Sequence, residues 1–253
     1  MKTATYTVYQ ADHPADFSLP PLGPLVLVNR QHPLQSGFSV PLQAPDERHP
    51  EQLMELQAAR MLNACLRAVN CTDRIVPVSG WRSHREQQAI WDETLACEGE
   101  AFTRSYVALP GCSEHETGLA IDLGAAAEKI DPIRPELPRD GVYGDFRRAA
   151  AHYGFIERYR ADKIALTGIA AEPWHFRYVG VPHARYMELH GLCLEEYIAL
   201  LAETPLVCRL ENGRTVTVRR VKDLQALPPA AGARQISPDN TGCYIVTDWE
   251  AMK

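Results

Sequence analysis

Asp122 stands in an otherwise apolar run, Leu119-Ala120-Ile121-Asp122-Leu123, whose composition reads as a buried strand. A carboxylate on such a strand is costly to bury unless a countercharge or a metal meets it. Whatever this chain folds into must therefore deliver partners to that position. His115 lies just upstream, across Gly118, a residue that permits a close turn or a close backbone approach. His175 follows much later, in Glu172-Pro173-Trp174-His175. Two imidazoles and one carboxylate form a three-ligand set able to hold zinc with a fourth position open. Glu172, just before the last of them, is placed to serve as a general base without binding the metal.

Either histidine alone reads as a hydrogen-bonded core residue, and only the conjunction of all four side chains asks for a metal. The spacing is not the HExxH helix of the common zinc proteases, since these ligands come from a turn and two strands. Cys112 offers a neighbouring sulfur, but Asp122 completes the set without it.

The rest of the chain reads as scaffold. Residues 1–49 hold many of the 19 prolines, among them Pro14, Pro20, Pro21, Pro24, Pro33, Pro41 and Pro45, so an extended arm packed on the core is expected there. Within it, Leu25-Val26-Leu27-Val28 reads as one buried strand and His32 as a loop residue. Leu53, Leu56, Ala59, Leu62, Leu66 and Val69 follow helical spacing to about Asn70, with Glu51 and Glu55 in the opening turns. Ile75–Ser79 reads as a strand that turns at Gly80-Trp81-Arg82 into a helix running to Leu95. Residues 97–111 read as loop, 126–143 as a loop beside the cleft, and Gly144–Tyr153 as a helix broken at Gly154. In Glu172–Val179, alternation of His175, Arg177 and Val179 against Phe176 and Tyr178 favours a strand. One helix is expected from about Pro182 to Glu203, with Tyr186, Leu189, Leu194, Tyr197 and Leu200 as core contacts. The second domain, 50–204, would thus carry the site. A small β extension over 205–253 follows, built on a hairpin at Asn212-Gly213, with Tyr244–Thr247 as a further strand.

Among 253 residues, 45% are hydrophobic and 23% charged, enough apolar chain for a sizeable core. The net charge of −6, without a Lys/Arg run, argues against nucleic acid or an anionic membrane as partner. Residues 1–19 lack the apolar run of a secretory signal, and no later stretch is long and apolar enough to insert in a membrane. Seven cysteines, dispersed and without a CxxC pair, suit a reducing compartment. A cytoplasmic protein is the expectation.

Three stretches carry a resemblance. Ser113-x-His115-x-x-Gly118-x-Ala120-x-Asp122, Glu172-x-Trp174-His175-x-Arg177-Tyr178 and Ser79-Gly80-Trp81-Arg82-Ser83-x-x-x-Gln87 resemble the signatures of VanY- and VanXY-type D-alanyl-D-alanine carboxypeptidases. Leu25–Leu34 and Tyr153-Gly154-Phe155-Ile156 also look like family sequence, and the likeness spans residues 25 to 200. Trp81 replaces a tyrosine frequent in the family. The resemblance implies the α+β fold shared with VanX dipeptidases and the hedgehog signalling domain, a small antiparallel sheet with flanking helices. It implies Zn2+ held by His115, Asp122 and His175, Glu172 as base and proton shuttle, and Arg82 stabilising the oxyanion. Gln87, Ser113 and Trp174 would lie in the substrate pocket.

The activity so implied is removal of terminal D-Ala from peptidoglycan precursors ending in D-Ala-D-Ala, together with cleavage of the dipeptide itself, as in glycopeptide resistance. An L,D-carboxypeptidase acting on tetrapeptide stems is the alternative within the same fold. A noncatalytic zinc-binding module, as in hedgehog domains, is the alternative outside it, although a purely structural site needs neither Glu172 nor Arg82.

Overall fold

Alternating apolar residues at Ile75, Pro77, Ile121, Leu123, Phe176 and Tyr178 build one sheet, and helices with apolar stripes cover it. The computed structural model describes residues 22–35, 39–210 and 213–251; Pro14, Pro20, Pro21 and Asn212 lie outside them. In chain order, a two-residue pair β1 (Leu42–Gln43) and β2 (Met54–Glu55) leads into α1 (Leu56–Ala68), then β3 (Ile75–Ser79), α2 (His84–Glu98) and α3 (Glu100–Tyr106). There follow β4 (Ala120–Ala125), α4 (Gly141–Ala150), β5 (Phe155–Tyr159), α5 (Ile164–Thr167), β6 (Glu172–Tyr178), α6 (His183–His190) and α7 (Leu194–Glu203). The described chain ends with β7 (Leu206–Arg209), β8 (Thr215–Val221), β9 (Arg234–Pro238) and β10 (Tyr244–Trp249).

Two antiparallel four-stranded sheets result, ordered β3-β4-β6-β5 and β7-β8-β10-β9. The architecture is α+β, as expected. One core lies between the first sheet and helices α1 and α4, with Leu62, Leu66, Ile121, Phe146 and Phe176 among its buried members. A second lies between α6, α7 and the C-terminal sheet, with Met187, Leu194, Tyr197, Val216, Val218 and Ile245. Among the described residues no helix is long and apolar enough to cross a membrane.

Several expectations need correction. Leu25–Val28 is buried but forms no strand. Val26 and Val28 enter the first core while Leu25 and Leu27 enter the second, so the alternation is that of a strand without a ladder. Its backbone is satisfied one group at a time instead: Leu25 N donates to Ser237 Oγ (3.0 Å), Leu27 N to Asp239 O (3.2 Å), and Val26 O accepts from Arg177 Nη2 (2.8 Å). Gly23 permits this close docking, since a Cβ there would sit 2.4 Å from Ser237 Oγ. The first helix begins at Leu56 and leaves Glu51 outside; Glu55 caps it, accepting from Gln57 N and Ala58 N. Within the expected loop 97–111 stands α3, a helix too short to print a periodic pattern.

The single helix expected over Pro182–Glu203 is two. Gly191, at φ 62°, ends α6, and Cys193 opens α7 in a capping box with Glu196. Leu189 is 80% exposed and no part of the core. In the C-terminal region, β7 and β8 pair as the hairpin signal predicts and β10 contains Tyr244–Thr247. Strand β9, largely polar and ending in Pro238, escapes the sequence reading.

Candidate active site

Register assembles the site. Asp122 on β4 lies opposite His175 on β6 and, across the other edge, opposite Ser79 at the end of β3. His115 comes from a 3-10 turn, Glu114–Thr117, closed by Gly118 at φ 72°. A side chain at Gly118 would also place its Cβ 2.9 Å from Glu55 N, so glycine alone lets this turn lie against the start of α1. The turn then feeds directly into β4, which returns Asp122 beside His115.

His115, Asp122 and His175 each offer a ligand atom within 4.8 Å of the others, and all three are buried. Asp122 Oδ2 lies 3.2 Å from His115 Nε2, and Asp122 Oδ1 lies 3.0 Å from His175 Nδ1. Ligands of a tetrahedral zinc at its usual bond lengths stand roughly 3.3 Å apart, close to the separation each histidine keeps from one Asp122 oxygen. The outer nitrogens fit as well. His115 Nδ1 is 2.8 Å from Gly80 O, which fixes the proton there and frees Nε2. His175 Nε2 is 3.4 Å from Glu114 Oε2, which frees Nδ1.

The electrostatics ask for a cation. Burial alone would hold the His175 imidazole neutral, yet hydrogen bonds to Asp122 and Glu114 outweigh it and carry the ring up to about 9. Asp122 would be pushed up by burial, but the two histidines hold it far below the usual carboxylate range. Glu114, fully buried, is likewise held low by the Arg158 and Arg177 guanidiniums, at 2.8 Å and 2.7 Å. Arg158 is in turn tied to Glu195 on α7 (2.7 Å). Among the described residues, Glu172 meets no guanidinium at hydrogen-bond distance. Burial pushes it up to about 8, and its Oε2 sits 3.7 Å from His175 Nδ1.

Arg82 is fixed by three hydrogen bonds: Nε to Ser79 Oγ (2.9 Å), Nη1 to Gln87 Oε1 (3.2 Å) and Nη2 to Asp122 Oδ2 (3.1 Å). That leaves two of its five N–H donors uncommitted. Gln87 uses both ends of its amide, accepting from Arg82 and donating to Ala108 O (2.8 Å). One cleft is lined by all eight side chains singled out in the sequence: Arg82, Gln87, Ser113, His115, Asp122, Glu172, Trp174 and His175. Sequence reasoning missed Glu114 and Tyr159, which line it too. A charged residue between Ser113 and His115 gave no sign of burial; the one available signal was Arg177, alternating with His175 on a strand and needing an acid on that face. Cys112, half-buried, is outside the three-ligand group.

Residues 51–181, just over half of the chain, match the family described as VanY: D-alanyl-D-alanine carboxypeptidase. The chain belongs to the VanY family. A VanY-family relative, the bifunctional D-Ala-D-Ala dipeptidase and D-Ala-D-Ala carboxypeptidase VanXYC of Enterococcus gallinarum, is 40% identical over 183 residues, 71% of this chain and 96% of that protein. The crystal structure of the vancomycin resistance D,D-dipeptidase VanXYg, in complex with a D-Ala-D-Ala phosphinate analog, aligns with TM-score 0.86 and 42% identity over 91% of this chain and 95% of that one. That share is more than residues 1–204 could supply, so the likeness reaches into the C-terminal sheet. A vancomycin resistance D,D-pentapeptidase VanY mutant from the VanB-type cassette, in complex with Zn(II), aligns with TM-score 0.59 and 32% identity over 69% of this chain and 98% of that one.

Proposed function

We propose that this chain is a zinc-dependent D,D-peptidase that releases D-alanine both from peptidoglycan precursors ending in D-Ala-D-Ala and from the dipeptide. The observation that carries the reading is the coincidence, in a member of the VanY family, of a buried His115–Asp122–His175 triangle with a buried acid, Glu172, at its edge. The name of its relative VanXYC supports the pairing of the two activities.

His115 Nε2, Asp122 and His175 Nδ1 would hold Zn2+, which supplies Lewis acidity toward the scissile carbonyl and lowers the pKa of a water in the open position. Glu172 accepts the proton of the attacking water and returns it to the amine of the departing D-alanine. Its place at the edge of the ligand triangle, 3.7 Å from His175 Nδ1, puts it within reach of both halves of that exchange. Arg82 offsets the negative charge that grows on the carbonyl oxygen, its guanidinium held in place by Ser79 and Gln87. Ser113 and Trp174 line the pocket that receives the terminal residue, and Gln87 braces its wall. The seven cysteines are free, four of them buried, in keeping with a reducing, cytoplasmic setting.

The test is D-alanine release by zinc-loaded protein from D-Ala-D-Ala, from a pentapeptide stem ending in D-Ala-D-Ala and from a tetrapeptide stem, each with a chelator control. Chelator-sensitive release from the first two is expected. Release from the tetrapeptide alone would replace this reading with an L,D-carboxypeptidase, and silence in all three lanes with zinc bound would leave a noncatalytic zinc module.

A further inference from the structure

The C-terminal sheet contributes none of the side chains that line the cleft. Its β9–β10 turn nevertheless reaches toward it through two steps. The turn is fixed by Asp239, which is fully buried and accepts from Thr241 N (2.7 Å), Cys243 N (3.1 Å) and Arg220 Nε (2.6 Å). Asn240, at φ 59°, is thereby aimed outward from the sheet, and its side-chain amide donates to three main-chain carbonyls: Leu27 O (3.0 Å), His32 O (3.0 Å) and Pro33 O (3.1 Å). One side chain thus clamps both limbs of the 27–33 loop.

The second step starts from that loop. Leu34 N donates to Gly111 O (2.7 Å), and Arg30 Nη2 to Arg104 O (3.3 Å) at the end of α3. Gly111 belongs to the segment 107–113, which has no helix or strand of its own and supplies Val107, Ala108 and Ser113 to the cleft wall. On its inner side the segment is held by Gln87 at Ala108 O and by Glu116 Oε1 at Gly111 N (2.7 Å). On its outer side, its partner is the loop that Asn240 clamps.

We propose that the C-terminal sheet is a positioning element for substrate binding, and that Asn240 is the positioning residue through which it fixes the 107–113 wall of the pocket. The metal-ligand triangle stands on strands and a turn tied by their own ladder bonds, whereas the 107–113 wall is tied by single hydrogen bonds. Loosening the clamp should therefore weaken substrate binding and leave the chemical step in place. The kinetic half of this inference rests on the D,D-peptidase reading above; the structural half does not.

The experiment uses the full chain with Asn240→Gly, which deletes the amide without straining a backbone at positive φ, and Asp248→Asn as a companion. Asp248 pairs with Arg219 and Arg234 on the same sheet and makes no contact with the 27–33 loop. With D-Ala-D-Ala as substrate, Asn240→Gly is expected to raise KM about tenfold, the equivalent of roughly one hydrogen bond, with kcat within about twofold. Amide hydrogen exchange, followed by mass spectrometry, should quicken about tenfold over 107–113 and stay unchanged in β4 and β6. An unchanged KM in Asn240→Gly, or an equal rise in Asp248→Asn, would overturn the proposal. If the wild-type protein releases no D-alanine from any peptide, the functional reading fails instead, and exchange alone decides: quickening at 107–113 supports the brace, and unchanged protection there sinks it.

Discussion

Glu172 and His175 keep protons that the same groups would release in the unfolded chain. Unfolded, they ionise near their ordinary 4.5 and 6.5; folded and metal-free, they are pushed up to about 8 and about 9. For these two groups the folded state binds more protons, whereas buried His115 and His183, held below the usual imidazole range, bind fewer than in the unfolded chain below 6.5, so stability falls as pH rises from about 6.5 to 9. The His175 contribution is fully present below 6.5 and gone above its folded value. Glu114 and Asp122 act in the opposite sense: held low in the fold, they lose their contribution on acidification, below about pH 4. Chelator-treated protein should thus melt at its highest temperature near pH 6.5 and at progressively lower ones toward pH 9. Thermal melts in matched buffers check this, and a rising curve over that range contradicts it. Glu172→Gln should retain zinc and lose kcat by about 10²–10⁴, the usual worth of a general base; metal content and kcat measured on one preparation test both halves. Glu114→Gln removes the outer carboxylate of His175, and zinc affinity should drop about 10–100-fold in a chelator competition.

At the scale of elements, the site depends on one turn and one register. Gly118→Ala forces a Cβ into left-handed backbone and against Glu55 N, at a cost of about 1–3 kcal/mol. Its melting temperature should fall, and zinc affinity with it, because the same turn carries His115. Denaturant unfolding with and without the metal measures the two effects. These elements were legible because they follow strong local rules: an apolar run around Asp122, a glycine where φ is positive, alternation through His175 and Arg177. Where local rules are silent, sequence reading failed. Leu25–Val28 has a strand's pattern, but the alternation answers to two cores and not to a ladder. Helix α3 is too short for periodicity, and the break at Gly191 lies inside a pattern that suits one helix equally well. Glu114 was invisible because its partners, Arg158, Arg177 and Glu195, are distant in sequence and only tertiary structure gathers them.

The whole molecule is two cores with shared walls. Ile156 from the catalytic sheet, Ala151 beside α4 and Leu25 with Leu27 all lie in the same core as Val216, Val218 and Ile245 of the C-terminal sheet. His183 on α6 adds a buried polar link, contacting Tyr197 through Nδ1 (2.8 Å) and Thr247 on β10 through Nε2 (3.2 Å). Calorimetry should accordingly record one cooperative unfolding transition, and two resolved transitions would mean that the C-terminal sheet melts separately.

The placement of Leu25–Val28 has a bearing on how the protein is made. A ribosome delivers this segment early and Ser237, Asp239 and Ile245 late, yet Leu25 and Leu27 reach their backbone partners only among those last residues. The second core cannot close before the C-terminal sheet is made, whereas the first draws its buried members from residues 26–178 alone, and the carbonyls of Pro24 and Val26 that hold Arg177 belong to the segment the two cores share. The strands that carry the candidate metal ligands can therefore pair before the segment that buttresses Arg177 has found its own partners.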